Sequence, residues 1–267
     1  MGVRQSGIRP VLAGARRETR LSLRIAVLSD LHGNQHALKR CLADLRSRGG
    51  ADVIVAAGDL CLDGPKPRAV LKRLRAEGVR SLRGNTDRMI ALSDITVLDP
   101  EDARAVRWAR KKIGREWSIW LGELPLTIEF GNDENGLLIC HANPKNDDEH
   151  VWPDADDAQL ERLFAGVPQR TIAFGHLHLP YVRVWRGRML VNVASAGLPK
   201  DGDPRAHYTI FTRRADGWEV QPRRVDFNVK KVARQVRRSG MPDFDKHVAT
   251  LRRHRYPKLG APGSLIP

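Results

Sequence analysis

The apolar run Ile25 to Leu28 passes without a spacer into Ser29-Asp30-Leu31-His32-Gly33-Asn34, and this junction constrains the chain more than any other stretch. Four consecutive apolar residues, rich in branched side chains, read as a central strand covered on both faces. Asn34 can cap a helix whose apolar positions Ala37, Leu38, Cys41, Leu42 and Leu45 recur at helical spacing, with Lys39, Arg40 and Asp44 on the other face. Gly33 permits the sharp exit between the two. Asp30 and His32 therefore fall at the carboxyl end of a strand, where open α/β sheets bind ligands, on a turn tight enough to hold metal-ligand geometry. Taken alone the pair is weak, since an Asp at a strand end is more often a helix cap and a lone His more often a core or surface residue.

The pattern repeats. Val53 to Ala57 is a second apolar strand and ends in Gly58-Asp59; after a loop with Gly64, Pro65 and Pro67, a helix from about Arg68 presents Val70, Leu71 and Leu74. Val79 to Leu82 is a short third strand that delivers Gly84-Asn85-Thr86-Asp87. Three successive β-α units thus end on a residue able to coordinate a metal. From Arg88 to Leu124 the pattern is helical, with Trp108, Trp117 and Trp120 read as packing residues ahead of a base-stacking platform; a helical excursion over an active face would serve as a lid or specificity wall. Leu126 to Phe130 and Leu137 to Cys140 read as a hairpin that ends in His141. A helix over Gln159 to Ala165 and a strand over Thr171 to Phe174 follow, the strand ending in Gly175-His176-Leu177-His178. Tyr181 to Trp185 and Met189 to Val193 form another hairpin, with further strands at Tyr208 to Thr212 and Trp218 to Pro222. The last clear element is a basic helix with Val229, Val232, Ala233 and Val236 on one face, ended by Gly240 and Pro242.

The polar strand ends are Asp30, His32, Asp59, Asn85, His141, His176 and His178. Nitrogen and oxygen donors without thiolate suit Mn, Fe, Zn, Co or Ni. Seven exceed what one catalytic metal takes and match two metals sharing a carboxylate.

With these motifs in this order, Asp30-Leu31-His32, Gly58-Asp59, Gly84-Asn85 with Asp87, His141 and Gly175-His176-Leu177-His178, the sequence resembles a calcineurin-like metallophosphoesterase. The resemblance implies a four-layer α/β/β/α sandwich and two divalent cations, with Mn favoured. It places Asp30, His32 and His178 on one metal, Asn85, His141 and His176 on the other, and Asp59 between them. The implied activity is metal-dependent phosphohydrolysis by in-line attack of a bridging hydroxide, with Asp59 holding the metals and Asn85 helping to orient the phosphoryl group. Within the family the chain is similar to the bacterial phosphodiesterase and diadenosine-tetraphosphatase-like branches, partly through the segment Asn192 to Arg205. The Pro-Gly-Ser usual there is Val193-Ala194-Ser195 in this chain.

Many phosphatases of the family carry His directly after the motif Asn, where it protonates the leaving oxygen; here that residue is Thr86. A threonine has no useful acidity near neutral pH. The change favours phosphodiesters or phosphoanhydrides over alkyl monoesters, and Asp87 is expected to orient its neighbours and not to act as the acid. The substrate expected is a small phosphoester or a nucleotide. Alternatives are a phosphomonoesterase, a Ser/Thr protein phosphatase, or a nuclease using basic termini. A non-enzymatic scaffold, the fate of family members that lost their ligands, fits less well because every ligand position is filled.

Composition sets the frame. At 267 residues and 41% hydrophobic the chain can bury a full core. We expect one elaborated domain at 23–228, with the helical excursion at about 88–124, a flexible basic extension at 1–22 and a basic helix and tail at 229–267. The net charge of +15 sits at the ends: residues 1–24 carry six Arg against Glu18, and residues 223–267 carry twelve Lys or Arg against three Asp. Nucleic acid is a partner those ends would suit, although solvated basic tails are the simpler reading. Cys41, Cys61 and Cys140 lack metal or disulfide spacing and read as small buried side chains in a reducing, cytoplasmic setting. No apolar run is long enough to span a bilayer, so no membrane partner is expected.

Overall fold

The computed structural model describes residues 22–254. The basic extension expected at residues 1–22 lies, but for Ser22, outside the described residues, as does the tail beyond His254.

The chain opens with three β-α units: β1 (Arg24–Leu28) and α1 (Gln35–Ser47), β2 (Val53–Ala57) and α2 (Pro67–Ala76), then β3 (Arg80–Leu82) and α3 (Asn85–Ala91). Two more helices follow, α4 (Pro100–Ile113) and α5 (Arg115–Gly122). The second half contains β4 (Thr127–Phe130), β5 (Leu137–Cys140), α6 (Asp157–Phe164), β6 (Thr171–Phe174), β7 (Pro180–Trp185) and β8 (Arg188–Val193). A long hairpin, β9 (Ala206–Arg214) with β10 (Gly217–Val225), leads to α7 (Val229–Ser239) and α8 (Phe244–Arg253).

The strands form two mixed sheets, ordered β10-β9-β1-β2-β3 and β4-β5-β6-β8-β7. In the first, β1, β2 and β3 are parallel, β9 pairs antiparallel with β1 and β10 antiparallel with β9; in the second, β5, β6 and β8 are parallel with antiparallel edges β4 and β7.

Period-two alternation on buried strands produces four layers. Ile25 and Val27 of β1 join Val55, Ile139, Ala173 and Val191 in the core between the sheets. Their neighbours Ala26 and Leu28 point the other way, into the helical layer with Leu38, Leu42 and Leu71. Behind the second sheet, Leu138, Ile172 and Phe174 pack on Leu160, Leu163 and Phe164 of α6. The result is the α/β/β/α sandwich expected from the motifs.

The capping chemistry is as the residues dictate. Asn34 accepts the Ala37 amide at 3.0 Å to start α1, and Gly240 in the left-handed region ends α7. The tryptophans of the helical excursion pack: Trp117 is buried with Val106 and Leu121 in the α1–α2 layer, Trp120 meets its edge, and the Arg75 guanidinium lies 3.8 Å from its ring centre. A further helix, α8, packs Val248 and Leu251 on Leu198, Val232 and Val236. Among the described residues no helix is long and apolar enough to cross a membrane.

Candidate metal centre

The carboxyl ends of β1, β2 and β3 converge with those of β5 and β6. Backbone bonds tie the loops together: Asp30 N–H to Gly58 O, His32 N–H to Asp59 O, Gly175 N–H to His141 O, and Gly197 N–H to Asp30 O. Asp30, His32, Asp59, His176 and His178 all have φ between 42° and 67°. That left-handed region costs a residue with a side chain on the order of 1–3 kcal/mol, and such strain collects where function demands a particular side-chain direction. Glycines make the approach possible. A Cβ at Gly58 would lie 2.6 Å from His141 Nδ1, and one at Gly175 would lie 2.0 Å from Ser29 Oγ and 2.5 Å from Asp30 Oδ2.

Two donor groups result. Asp30, His32 and His178 form one, with ligand atoms all within 4.8 Å of one another, and Asp59, His141 and His176 form the other. Asn85 joins the second, its Oδ1 3.2 Å from His141 Nε2. Asp59 reaches both, with Oδ2 3.7 Å from His32 Nε2 and Oδ1 3.4 Å from His141 Nε2. All seven residues read from the strand ends thus meet at one place. Asp87 does not face it. Its carboxylate sits behind, accepting the Leu60 and Gly84 amides at 3.1 and 3.0 Å, and ties the ends of β2 and β3 together.

The polar atoms fit divalent cations. His32 Nδ1 and His178 Nδ1 lie 3.2 and 2.5 Å from the carbonyls of Leu62 and Leu198. A carbonyl only accepts, so in the neutral imidazoles the proton sits on Nδ1 and two Nε2 lone pairs face each other across 3.2 Å. Asp30 Oδ1, 3.3 Å from His178 Nε2, is buried without a hydrogen-bond donor. His141 repeats the pattern: Nδ1 donates to Ala57 O at 2.8 Å, leaving Nε2 toward Asp59. For His176 the roles reverse, because Nε2 donates to Asp148 O at 2.8 Å and leaves Nδ1 bare. Buried acceptors facing acceptors are costly unless a cation lies between them.

Electrostatics follows the same geometry. Burial alone would raise Asp30, but His178, His141 and His32 outweigh it and hold the carboxyl well below the usual range. Burial pushes His176 down to about 4, with His141 adding to the effect, and pushes His178 to about 4, with Lys200 adding. Burial would lower His141, but the Asp59 and Asp30 charges outweigh it and raise it; at His176, His178, Asp30 and Asp59 the favoured states, neutral imidazole and ionised carboxylate, are those that metal ligation requires. Burial and the Asp59 charge raise Asp87 to about 7.

Supporting contacts were partly hidden from the sequence. Thr86 Oγ1 and N both donate to Asp59 Oδ1, at 2.8 and 3.0 Å. Ser195 Oγ donates to Asp30 O at 2.8 Å and accepts the Leu198 amide at 2.7 Å; Asn192 Nδ2 donates to Gly175 O at 2.7 Å. Ala194, where the family's glycine is usual, keeps φ at 57°. His150 lies against His176 with ring centres 4.2 Å apart and the ring planes tilted by 50°. The carbonyls of Leu62, Leu198 and Asp148 carry no side-chain signature, and nothing in the sequence could have marked them.

Two adjacent groups of nitrogen and oxygen donors at the strand ends of an α/β/β/α sandwich are the arrangement a metal-dependent hydrolase presents. Residues 23–216 match the calcineurin-like phosphoesterase superfamily domain. The chain belongs to that superfamily and is a metal-dependent phosphoesterase. It is 28% identical over 238 residues to an uncharacterized protein of Methanocaldococcus jannaschii, covering 82% of this chain and 94% of that one. The fold is similar to a metallophosphoesterase from Sphaerobacter thermophilus, with TM-score 0.71 and 25% identity over 87% of this chain and 99% of that one. It is also similar to a hypothetical protein from Pyrococcus horikoshii, with TM-score 0.75 and 20% identity over 86% and 97% of the two chains.

Proposed function

We propose that the chain hydrolyses phosphodiesters or phosphoanhydrides of small molecules or nucleotides, using two divalent cations, Mn favoured. Asp30, His32 and His178 would hold one cation, Asn85, His141 and His176 the other, and Asp59 both. The observation that carries this reading is Asp59, whose two carboxylate oxygens each face a different donor group. When bound, such a pair supplies Lewis-acid charge for phosphoryl oxygens and water activated near neutral pH.

The chain's own residues do the rest. Thr86 fixes the Asp59 carboxylate through its hydroxyl and amide. Asp87 fixes the loops that carry Asp59 and Asn85 by accepting the Leu60 and Gly84 amides. The backbone carbonyls of Leu62, Leu198, Ala57 and Asp148 set the tautomer of His32, His178, His141 and His176 in turn. The Thr86 hydroxyl hydrogen is directed at Asp59, so it is not offered to a leaving oxygen. That arrangement suits leaving groups that depart with little protonation, as in activated diesters and anhydrides.

The test is metal stoichiometry with activity. Metal-free protein dialysed against Mn²⁺ is expected to bind two ions per chain, with phosphoester hydrolysis rising as the second is taken up. Uptake of a single ion, or full activity before the second, would overturn the two-metal reading.

A further inference from the structure

Beside the Asp59/His141/His176 group lies an open cleft of about 590 Å³, lined among others by Arg83, Arg88, Lys145, Asp147, Asp148 and Glu149. It abuts the site at two points. Arg88 lies on α3, one turn beyond Asn85, and the Asp148 carbonyl accepts the His176 Nε2 hydrogen at 2.8 Å. A substrate group extending from the donor groups along α3 would meet the Arg88 side of this cleft.

The carboxylates of the cleft are largely engaged. Asp147, 4% exposed, is clamped between Arg83 Nε at 3.3 Å and Arg88 Nε at 2.9 Å. Glu149 turns to Arg162 and Gln159. Lys145 Nζ reaches the Ala165 carbonyl at 3.4 Å, and Arg83 Nη1 reaches Gly122 O at 3.3 Å. Arg88 is different. Its Nε edge is fixed by Asp147, which orients the guanidinium plane, while Nη2 has an Asp148 oxygen at 3.7 Å on a side chain 64% exposed. An ion pair so exposed is weak. A phosphate oxygen can replace that carboxylate, with the Nη edge already oriented for a charge-assisted contact.

The geometry points to Arg88 as the anchor for a second anionic group of the substrate, which narrows the substrate class to molecules with two adjacent phosphoryl groups, such as nucleoside polyphosphates. This inference rests on the phosphohydrolase reading above.

Competitive inhibition by AMP and by ADP, the latter supplied throughout as its uncleavable methylene-bridged analogue, separates the two ideas, measured on Mn²⁺-loaded protein with excess Mn²⁺ and bis-p-nitrophenyl phosphate as reporter. The base is the same, so the difference isolates the second phosphoryl group. In the wild type, ADP is expected to bind about tenfold more tightly than AMP, the size of effect that one charge-assisted contact confers. Arg88→Met should abolish that preference, and Arg88→Lys should restore part of it. Equal affinity for AMP and ADP in the wild type, or an Arg88→Met loss shared equally by both, would overturn the role of Arg88 while leaving the phosphohydrolase reading intact. A wild type that binds Mn²⁺ but hydrolyses no phosphoester would instead count against that reading, and calorimetric titration with AMP and ADP would still decide whether Arg88 discriminates between them.

Discussion

The Thr86 hydroxyl donates to Asp59 Oδ1 at 2.8 Å, and the Thr86 amide donates to the same oxygen at 3.0 Å. The residue that stands where many phosphatases of the superfamily carry histidine thus orients the carboxylate that faces both donor groups. Thr86→Val keeps the shape and the amide bond but removes the hydroxyl. Mn²⁺ affinity, measured by calorimetry, should fall by about tenfold, the lower end of what outer contacts to metal ligands contribute; Thr86→Ser should recover it. Unchanged affinity in Thr86→Val would remove Thr86 from the site's support.

Asp59 itself is buried and faces both groups. Asp59→Asn should lower hydrolysis by at least about a hundredfold, since each factor of ten corresponds to about 1.4 kcal/mol and metal charge stabilisation supplies several kcal/mol. Far-UV circular dichroism and the melting temperature of the metal-free protein should stay close to wild type. An unchanged rate at matched metal loading would sink the shared-carboxylate assignment.

Leu198 links the centre to the last two helices. Its carbonyl accepts the His178 Nδ1 hydrogen at 2.5 Å, while its side chain packs with Val232, Val236, Val248 and Leu251. Leu251, 4% exposed, has no role at the donor groups. Leu251→Ala should destabilise by about 2–4 kcal/mol in urea unfolding, as buried leucine truncations do. It should also weaken Mn²⁺ binding by loosening the Leu198 loop. A stability loss with metal affinity untouched would show that the helices brace the fold but not the site.

Glu149 belongs to the loop whose Asp148 carbonyl orients His176. Hydrogen bonds from Arg162 depress its pKa from 4.5 to about 2, burial opposes the shift, and Gln159 assists it. A depressed folded-state pKa means that the unfolded chain takes up the proton first. The stabilisation is therefore complete above about pH 4.5 and declines as pH falls toward 2. Urea midpoints of metal-free protein at about pH 5 and about pH 3 should differ less in Glu149→Gln than in wild type. Equal differences would mean that the Glu149–Arg162 pair does not contribute to the acid sensitivity.

Much of this was legible in the chain because metal ligation and strand burial demand particular residue types. Asp30, His32, Asp59, Asn85, His141, His176 and His178 stand at strand ends, where residue types able to coordinate a metal can be read directly from the sequence. The apolar positions of α1, from Ala37 to Leu45, all proved buried because helical spacing leaves one face no alternative. Helix α8 was not legible: Phe244, Val248 and Leu251 are too few to set a period against the surrounding charges, and the helix is held by packing on Leu198 and α7. Nor was the second role of Thr86 visible. Its lack of acidity can be read from the residue type, but the bond to Asp59 depends on β2 and β3 lying side by side. Ala194 adopts a glycine-like φ of 57°, which the residue type alone argues against.

The most direct test of the function is hydrolysis by metal-free protein reloaded with Mn²⁺, comparing bis-p-nitrophenyl phosphate with p-nitrophenyl phosphate. Activity that depends on Mn²⁺ and favours the diester is the expected result, because no acid stands at position 86 to protonate a poor leaving group. Mn²⁺ bound with neither ester hydrolysed, or a clear preference for the monoester, would contradict it.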